Sequence, residues 1–169
     1  MKEYAITFDP ERCIACHGCV VACKTWRDTP QNACRRRLDT LWTKEETMPR
    51  LRHASVACLH CNTPACLEAC PAGAIRKQEN GLVTVDEHAC IGCRACLRAC
   101  PFHVPSFAAP RSPMIKCDLC NGLFNPETES PPCVASCPTR ALTFTALTPE
   151  QKSSCEAGML ALLRSREEW

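Results

Sequence analysis

Aromatic residues make up only 5% of this 169-residue chain, glycines number six, and fourteen prolines interrupt it. A large core is not expected, and a chain with little core needs another source of stability. Long apolar runs are missing as well: no window approaches eighteen consecutive apolar residues, which argues against a membrane-spanning helix. The opening "MKEYAITFDPERC" has no basic region followed by an apolar stretch, so neither a signal peptide nor a twin-arginine leader is expected. The arginines at 35 to 37 lie too far along the chain for such a leader. A formal charge of +2 gives no case for nucleic-acid binding. There is no phosphate-cradling glycine loop and no nucleophile–base pairing, and the five histidines are scattered, so no catalytic residue is assigned.

Cysteine is what the chain has in excess. Eighteen among 169 residues exceed a tenth of the sequence, the level at which cysteine becomes a compositional signal. Such a chain is either a disulfide-stapled secreted scaffold or a metalloprotein. With no export signal of its own expected, the chain starts in a reducing compartment where disulfides are disfavoured, and metal ligation is the stronger reading.

Sixteen of the cysteines fall into four groups: Cys13, Cys16, Cys19 and Cys23; Cys58, Cys61, Cys66 and Cys70; Cys90, Cys93, Cys96 and Cys100; and Cys117, Cys120, Cys133 and Cys137. The last pair in every group is spaced x3, and Pro71, Pro101 and Pro138 follow three of the four. Three cysteines on a tight loop can point at three corners of one iron–sulfur cube, while the fourth points away to a neighbouring cube. Proline after that fourth cysteine removes a donor and fixes φ, turning the chain outward. Four [4Fe–4S] clusters use all sixteen thiolates. Zinc stays open for the fourth group alone, whose two cysteine pairs can be read as a knuckle.

The repeat extends past the cysteines. "ITFDPERCIAC" at 6 to 16 matches "VTVDEHACIGC" at 83 to 93, and "CPAGAI" at 70 to 75 matches "CPTRAL" at 137 to 142. The stretch "AIRKQENGLVTVD" reads as strand, Glu-Asn-Gly turn, strand. The strand at 4 to 8 needs a partner, and "ALTFT" at 141 to 145 is the candidate. The fold class is therefore α+β: two nested bacterial-ferredoxin-like modules with short hairpins and short helices around four clusters. Residues 1–23 and 114–147 form the outer module, 24–57 an insertion for partner docking, 58–101 the inner module, 102–113 a linker and 148–169 a C-terminal helix. The crossed rule then predicts four ligand sets. Set a is Cys13, Cys16, Cys19 and Cys137; set b is Cys117, Cys120, Cys133 and Cys23. Set c is Cys58, Cys61, Cys66 and Cys100; set d is Cys90, Cys93, Cys96 and Cys70.

With these motifs, "SVACLHCNTPACLEACPAGAI", "ACIGCRACLRACPF" and "MIKCDLC…PPCVASCPTRAL" among them, the chain resembles the four-cluster iron–sulfur subunits of the dimethyl sulfoxide reductase and polysulfide reductase superfamily over about residues 4 to 147. The resemblance implies a subunit that is not catalytic alone. It carries electrons between a molybdopterin or tungstopterin catalytic subunit and a membrane anchor or another electron-transfer subunit. It also implies a cytoplasmic protein, or one exported only with a signal-bearing partner and membrane-associated only through a partner. Two other readings remain: a polyferredoxin serving a tungsten aldehyde oxidoreductase or hydrogenase, of a kind that can stack into filaments, and an iron–sulfur assembly scaffold.

Lys24, Arg94, Arg98, Lys116 and Arg140 flank ligands, where positive charge would raise cluster potentials; Lys116, directly before Cys117, is the first candidate. His17 and His60 sit inside cysteine groups and read as surface-loop residues rather than cluster neighbours. Trp26 and Trp42 beside the arginine run suggest an interface. "TPEQ" at 148 to 151 reads as a capping box, with Cys155, Met159, Leu162, Leu163 and Trp169 at helical spacing behind it. Cys34 and Cys155 are surplus and read as ordinary thiols. The crossed sets make a sharp prediction for Cys23→Ser. Spectroscopy and iron analysis should show damage to the cluster of the fourth group, and loss of the first group's cluster instead would contradict the assignment.

Overall fold

A computed structural model describes residues 3–43, 48 and 50–165. Among the described residues, three two-stranded antiparallel sheets and five α-helices order the chain. Strand β1 (Glu3–Phe8) pairs with β6 (Leu142–Leu147), Ile6 facing Phe144 and Phe8 facing Leu142. The two ends of the chain thus close on each other, and Tyr4 stacks on Phe144 with ring centroids 5.1 Å apart. Strand β4 (Ile75–Lys77) pairs with β5 (Val83–Val85), Ile75 facing Val85. Its connection turns at Gly81, whose φ of +82° suits glycine, and the Gly81 amide bonds to the Gln78 carbonyl at 3.0 Å. Both pairings match the strands expected from the alternating runs.

The segment expected to be a docking insertion is itself folded. Helix α1 (Gly18–Trp26) leads into β2 (Arg36–Thr43), which pairs along its whole length with β3 (Arg50–Ala57). This hairpin supplies Leu41, Ala54 and Val56 to the largest apolar cluster, which also holds Phe102, Val104 and Met159. The stretch read as a linker therefore contributes core residues, and it is tied to the segment before Cys117 by a bridge between Ser106 and Ile115. Helices α2 (Ala65–Glu68), α3 (Ala95–Ala99) and α4 (Pro132–Ala135) are single turns. Each carries the third cysteine of its group. Two smaller apolar clusters include Cys117 and Cys96 beside Leu119, Val83 and Met114, so the thiols are part of the core.

Helix α5 (Pro149–Arg164) begins with the expected capping box: Thr148 accepts from the Gln151 amide and Gln151 from the Thr148 amide. Its apolar face packs inward, with Met159 buried and Leu160, Leu162 and Leu163 against the same cluster. Trp169 lies outside the described residues. Lys152, only 2% exposed, anchors the helix to the first strand through Glu3, with Nζ to Oε2 at 2.7 Å.

Removing one member of a buried pair leaves the other charge uncompensated, at a cost of about 3 kcal/mol. Glu3→Gln should therefore speed hydrogen exchange throughout α5. The Lys152 hydrogen bond holds the Glu3 carboxyl below its ordinary value of 4.5. The stabilisation is complete above that value and is lost as pH falls through the lower folded one. Protection of α5 that is indifferent both to Glu3→Gln and to this acid range would contradict the anchoring role.

Candidate iron–sulfur sites

The four cysteine groups share one backbone device. The second residue after the first cysteine of each group is left-handed: Ala15 at φ 55°, His60 at 52°, Gly92 at 65° and Leu119 at 55°. This bend curls the loop around its own sulfur. His60 N–H and Leu119 N–H each donate to the sulfur two residues back, Cys58 and Cys117, at 3.4 Å, and the Ala15 amide donates to Cys13 in the same way. In the third group the donor to Cys90 is the Met114 amide, also at 3.4 Å. Amides aimed at sulfur favour the ionised, metal-binding thiolate.

A second device ends three of the groups. After the cysteine–proline pairs, Gly73, His103 and Arg140 are left-handed, and their amides return to the carbonyls of Cys70, Cys100 and Cys137 at 3.1 to 3.2 Å. The proline and the tight turn send the chain away from the sulfur. At Cys137 a further amide, from Ala141, reaches the sulfur at 3.2 Å. Burial raises this thiol, but hydrogen bonds from Leu142, Thr139 and Ala141 outweigh it and hold Cys137 below its ordinary value.

Folding brings the cysteines together across groups. Cys13, Cys16, Cys19 and Cys137 line one small cavity, and Cys70, Cys90, Cys93 and Cys96 line another. Burial pushes the Cys23 thiol up to about 12, with Cys117, Cys133 and Cys120 adding to the rise. Burial likewise pushes Cys61 up to about 12, with Cys58, Cys100 and Cys66 nearby. Cys137 therefore stands with the first group and Cys23 with the fourth, so the fourth group does not close on itself as a zinc knuckle would require. Among the described residues, no three His, Cys, Asp or Glu side chains converge on a single ion. Four thiols around a cavity, with amides directed at their sulfurs, fit the donor chemistry of a [4Fe–4S] cube.

Neighbouring sets also feel each other, always after the larger effect of burial. Cys19 of set a raises Cys133 of set b, Cys58 of set c raises Cys117 of set b, and Cys96 of set d raises Cys66 of set c. The four sets thus stand in the sequence a, b, c, d. Exposure follows the same sequence. Cys16 and Cys93 are exposed, flanked by Ile14 at 62% and Ile91 at 59%, whereas all of Cys23, Cys117, Cys120 and Cys133 are buried.

The flanking cations separate clearly. Lys116 is 4% exposed and bonds to the carbonyls of Val83 and Cys117. Lys24 instead holds the Gln31 and Ala33 carbonyls, at 2.8 and 3.3 Å, and Arg94 lies over the Phe107 ring. Arg98 and Arg140 are exposed. Of the two histidines, His17 is exposed as expected, but His60 is 2% exposed, which corrects the surface-loop reading. His60 Nδ1 accepts from the Val83 amide at 2.9 Å, which assigns the ring proton to Nε2, a buried donor with no partner among the described residues. Burial, then the charges of Lys116 and Lys152, keep this ring well below its ordinary pKa, hence neutral. Cys34 and Cys155 are half-buried and outside the four sets.

The arginine run turns inward rather than forming an open basic face. Arg35 donates to the Lys116 carbonyl and Arg37 to the Phe102 and His103 carbonyls. Arg36 is 4% exposed. Trp26 and Trp42 stay exposed, at 56% and 48%. Sequence reasoning missed Arg36, for which the only signal was its place at the start of a strand whose partner ends at Ala57, directly before Cys58.

Comparison with known proteins agrees with this chemistry. Residues 49–147 match the family described as a 4Fe-4S dicluster domain, and residues 10–26 match a 4Fe-4S binding domain. The protein is 39% identical over 150 residues to the B subunit of anaerobic dimethyl sulfoxide reductase from Escherichia coli K12, covering 84% of this sequence and 73% of that one. It is 38% identical to the thiosulfate reductase electron transfer subunit PhsB of Salmonella typhi, covering 85% and 76%. It is 37% identical to the formate dehydrogenase iron-sulfur subunit of Wolinella succinogenes, covering 79% and 76%.

Gly92 offers a direct test of the loop geometry. A Cβ there would lie 2.6 Å from the Arg111 backbone, whereas at Gly73, also left-handed, it would meet nothing within 4 Å. The φ strain alone costs about 1–3 kcal/mol at either position. Gly92→Ala should lose iron from set d, and Gly73→Ala should keep it. Equal iron retention by the two variants would show that the contact with Arg111 is unimportant.

Proposed function

Since this protein belongs to the 4Fe–4S dicluster family and to the iron–sulfur electron-transfer subunits of oxidoreductase complexes, we propose that it relays single electrons through four [4Fe–4S] clusters held by sets a, b, c and d. The partners at the two ends are a molybdenum- or tungsten-pterin catalytic subunit and a second redox protein, a membrane anchor or another electron-transfer subunit. The observation that carries this reading is the succession of thiol sets, exposed at both ends and buried in the middle. Two nested modules organise it: the outer one closes through β1 and β6, and the inner one through β4 and β5.

When bound, the clusters supply the one-electron chemistry. The residues of this protein do the rest. The left-handed loops direct amides at the first sulfur of three groups, which stabilises the anionic ligands. The buried setting of set b keeps water from the middle of the path, where thiols such as Cys120 are pushed up to about 12 by burial until metal takes the proton's place. Counting sixteen thiolates and four oxidised cores, the loaded protein carries about −6, falling by one for each electron stored. Buried cations therefore matter to how many electrons the relay can hold. Dimethyl sulfoxide reductase, thiosulfate reductase and formate dehydrogenase are the enzymes that similar subunits serve by name, and a related enzyme is the setting proposed here.

Anoxic purification with the native partner tests this reading. Metal and cofactor analysis should give about sixteen irons per copy of this protein and a pterin on the partner. A partner without pterin, or iron far below that count, would contradict it.

A further inference from the structure

Arg36 is a buried guanidinium with no ion pair to a carboxylate among the described residues. Its Nη1 donates to Ser55 Oγ at 2.9 Å and approaches the Ser55 carbonyl at 3.4 Å, while its Nε has no partner among the described residues. Ser55 Oγ lies 3.4 Å from Cys19 Sγ, and a hydrogen bond from Arg36 reaches Cys133. Asp118, beside Cys117, is already paired with Arg27 at 2.6 Å and lies 3.8 Å from Arg35. A cation stripped of water and of a carboxylate is unfavourable unless other anions surround it. Those around Arg36 are Cys133, Cys117 and Cys23 of set b and Cys19 of set a, and together they outweigh the burial that would otherwise discharge it.

We infer that Arg36 is a fixed cation shared by sets a and b, one that raises the reduction potentials of both clusters and offsets the repulsion between them when both are reduced. The inference rests on the four-cluster reading and deepens it. Three of the four thiols facing Arg36 belong to set b, so the effect is larger there. It reaches set a chiefly through the Ser55 hydroxyl. A guanidinium suits this place because it cannot be deprotonated and its fork can serve Ser55 and Cys133 together. Lys116 stands in the corresponding place one junction on, between Cys117 of set b and Cys66 of set c. Clusters linked by thiolates alone would resist a second electron, and a cation between neighbours lets the relay hold one on each.

The test is an anoxic redox titration of the full-length protein in its native complex, followed by electron paramagnetic resonance, after iron analysis of each protein. In Arg36→Gln the reduction equilibrium constant of cluster b should fall at least tenfold, which is about 59 mV for a one-electron couple. Cluster a should fall less, and c and d should not move. Arg36→Lys, which keeps the charge, should restore most of the shift at b. Ser55→Ala should lower cluster a alone. Unchanged potentials in an iron-replete Arg36→Gln protein would overturn the inference, as would equal shifts at all four clusters. Should Arg36→Gln fail to retain iron, Ser55→Ala decides: a lowered potential confined to cluster a supports the inference, and no change overturns it. Too little iron in the unaltered protein would instead count against the four-cluster reading.

Discussion

Burial of sixteen like-charged ligands is the constraint on which the rest of this structure depends. Thiols such as Cys23, Cys61 and Cys120 are pushed up to about 12 chiefly by burial, so the fold resists leaving them as free thiolates. Metal resolves the conflict, because the proton leaves and the negative charge is shared with iron. Ligation then becomes folding energy, which explains how small apolar clusters and two-stranded sheets can hold a defined shape. The sulfurs of Cys96 and Cys117 belong to those clusters, and a metal-binding defect at either is also a packing defect.

The backbone meets this constraint with a few repeated devices. A left-handed residue two places after the first cysteine recurs in all four groups, and a left-handed residue three places after the last recurs in three. The first curls amides toward sulfur; the second turns the chain away so that the last cysteine serves a neighbour. Hairpins set the distance between groups, β4–β5 joining the second group to the third and β1–β6 bringing the first beside the fourth. The buried cations Arg36, Lys116 and Lys152 complete the arrangement from outside the cysteine motifs.

Much of this was legible because it is local chemistry. Cysteine spacing, the proline after the last cysteine, the Glu-Asn-Gly turn and the Thr148–Gln151 capping box each depend on a few adjacent residues. The pairing of the chain ends was legible because the strand before Cys13 repeats the one before Cys90. The inward turn of the arginine run was not. "RRRLDTLW" has no clean alternation, and what buries Arg36 is its contact with Ser55 and with thiols from both flanking sets, a tertiary circumstance. His60 was misread for a similar reason: its burial depends on the Val83 amide of a hairpin twenty-three residues away. The 24–57 segment looked like an insertion because its strands carry charged residues whose burial only the cluster region explains.

The proposed relay requires thiols from different groups to combine into four cluster sites that follow one another through the protein. Iron-edge anomalous diffraction from crystals of the loaded protein tests this most directly. Four compact iron peaks are expected in the order a, b, c, d, with Cys137 bound at the first and Cys23 at the second. Fewer than four peaks, or a peak enclosed by Cys13, Cys16, Cys19 and Cys23, would contradict it.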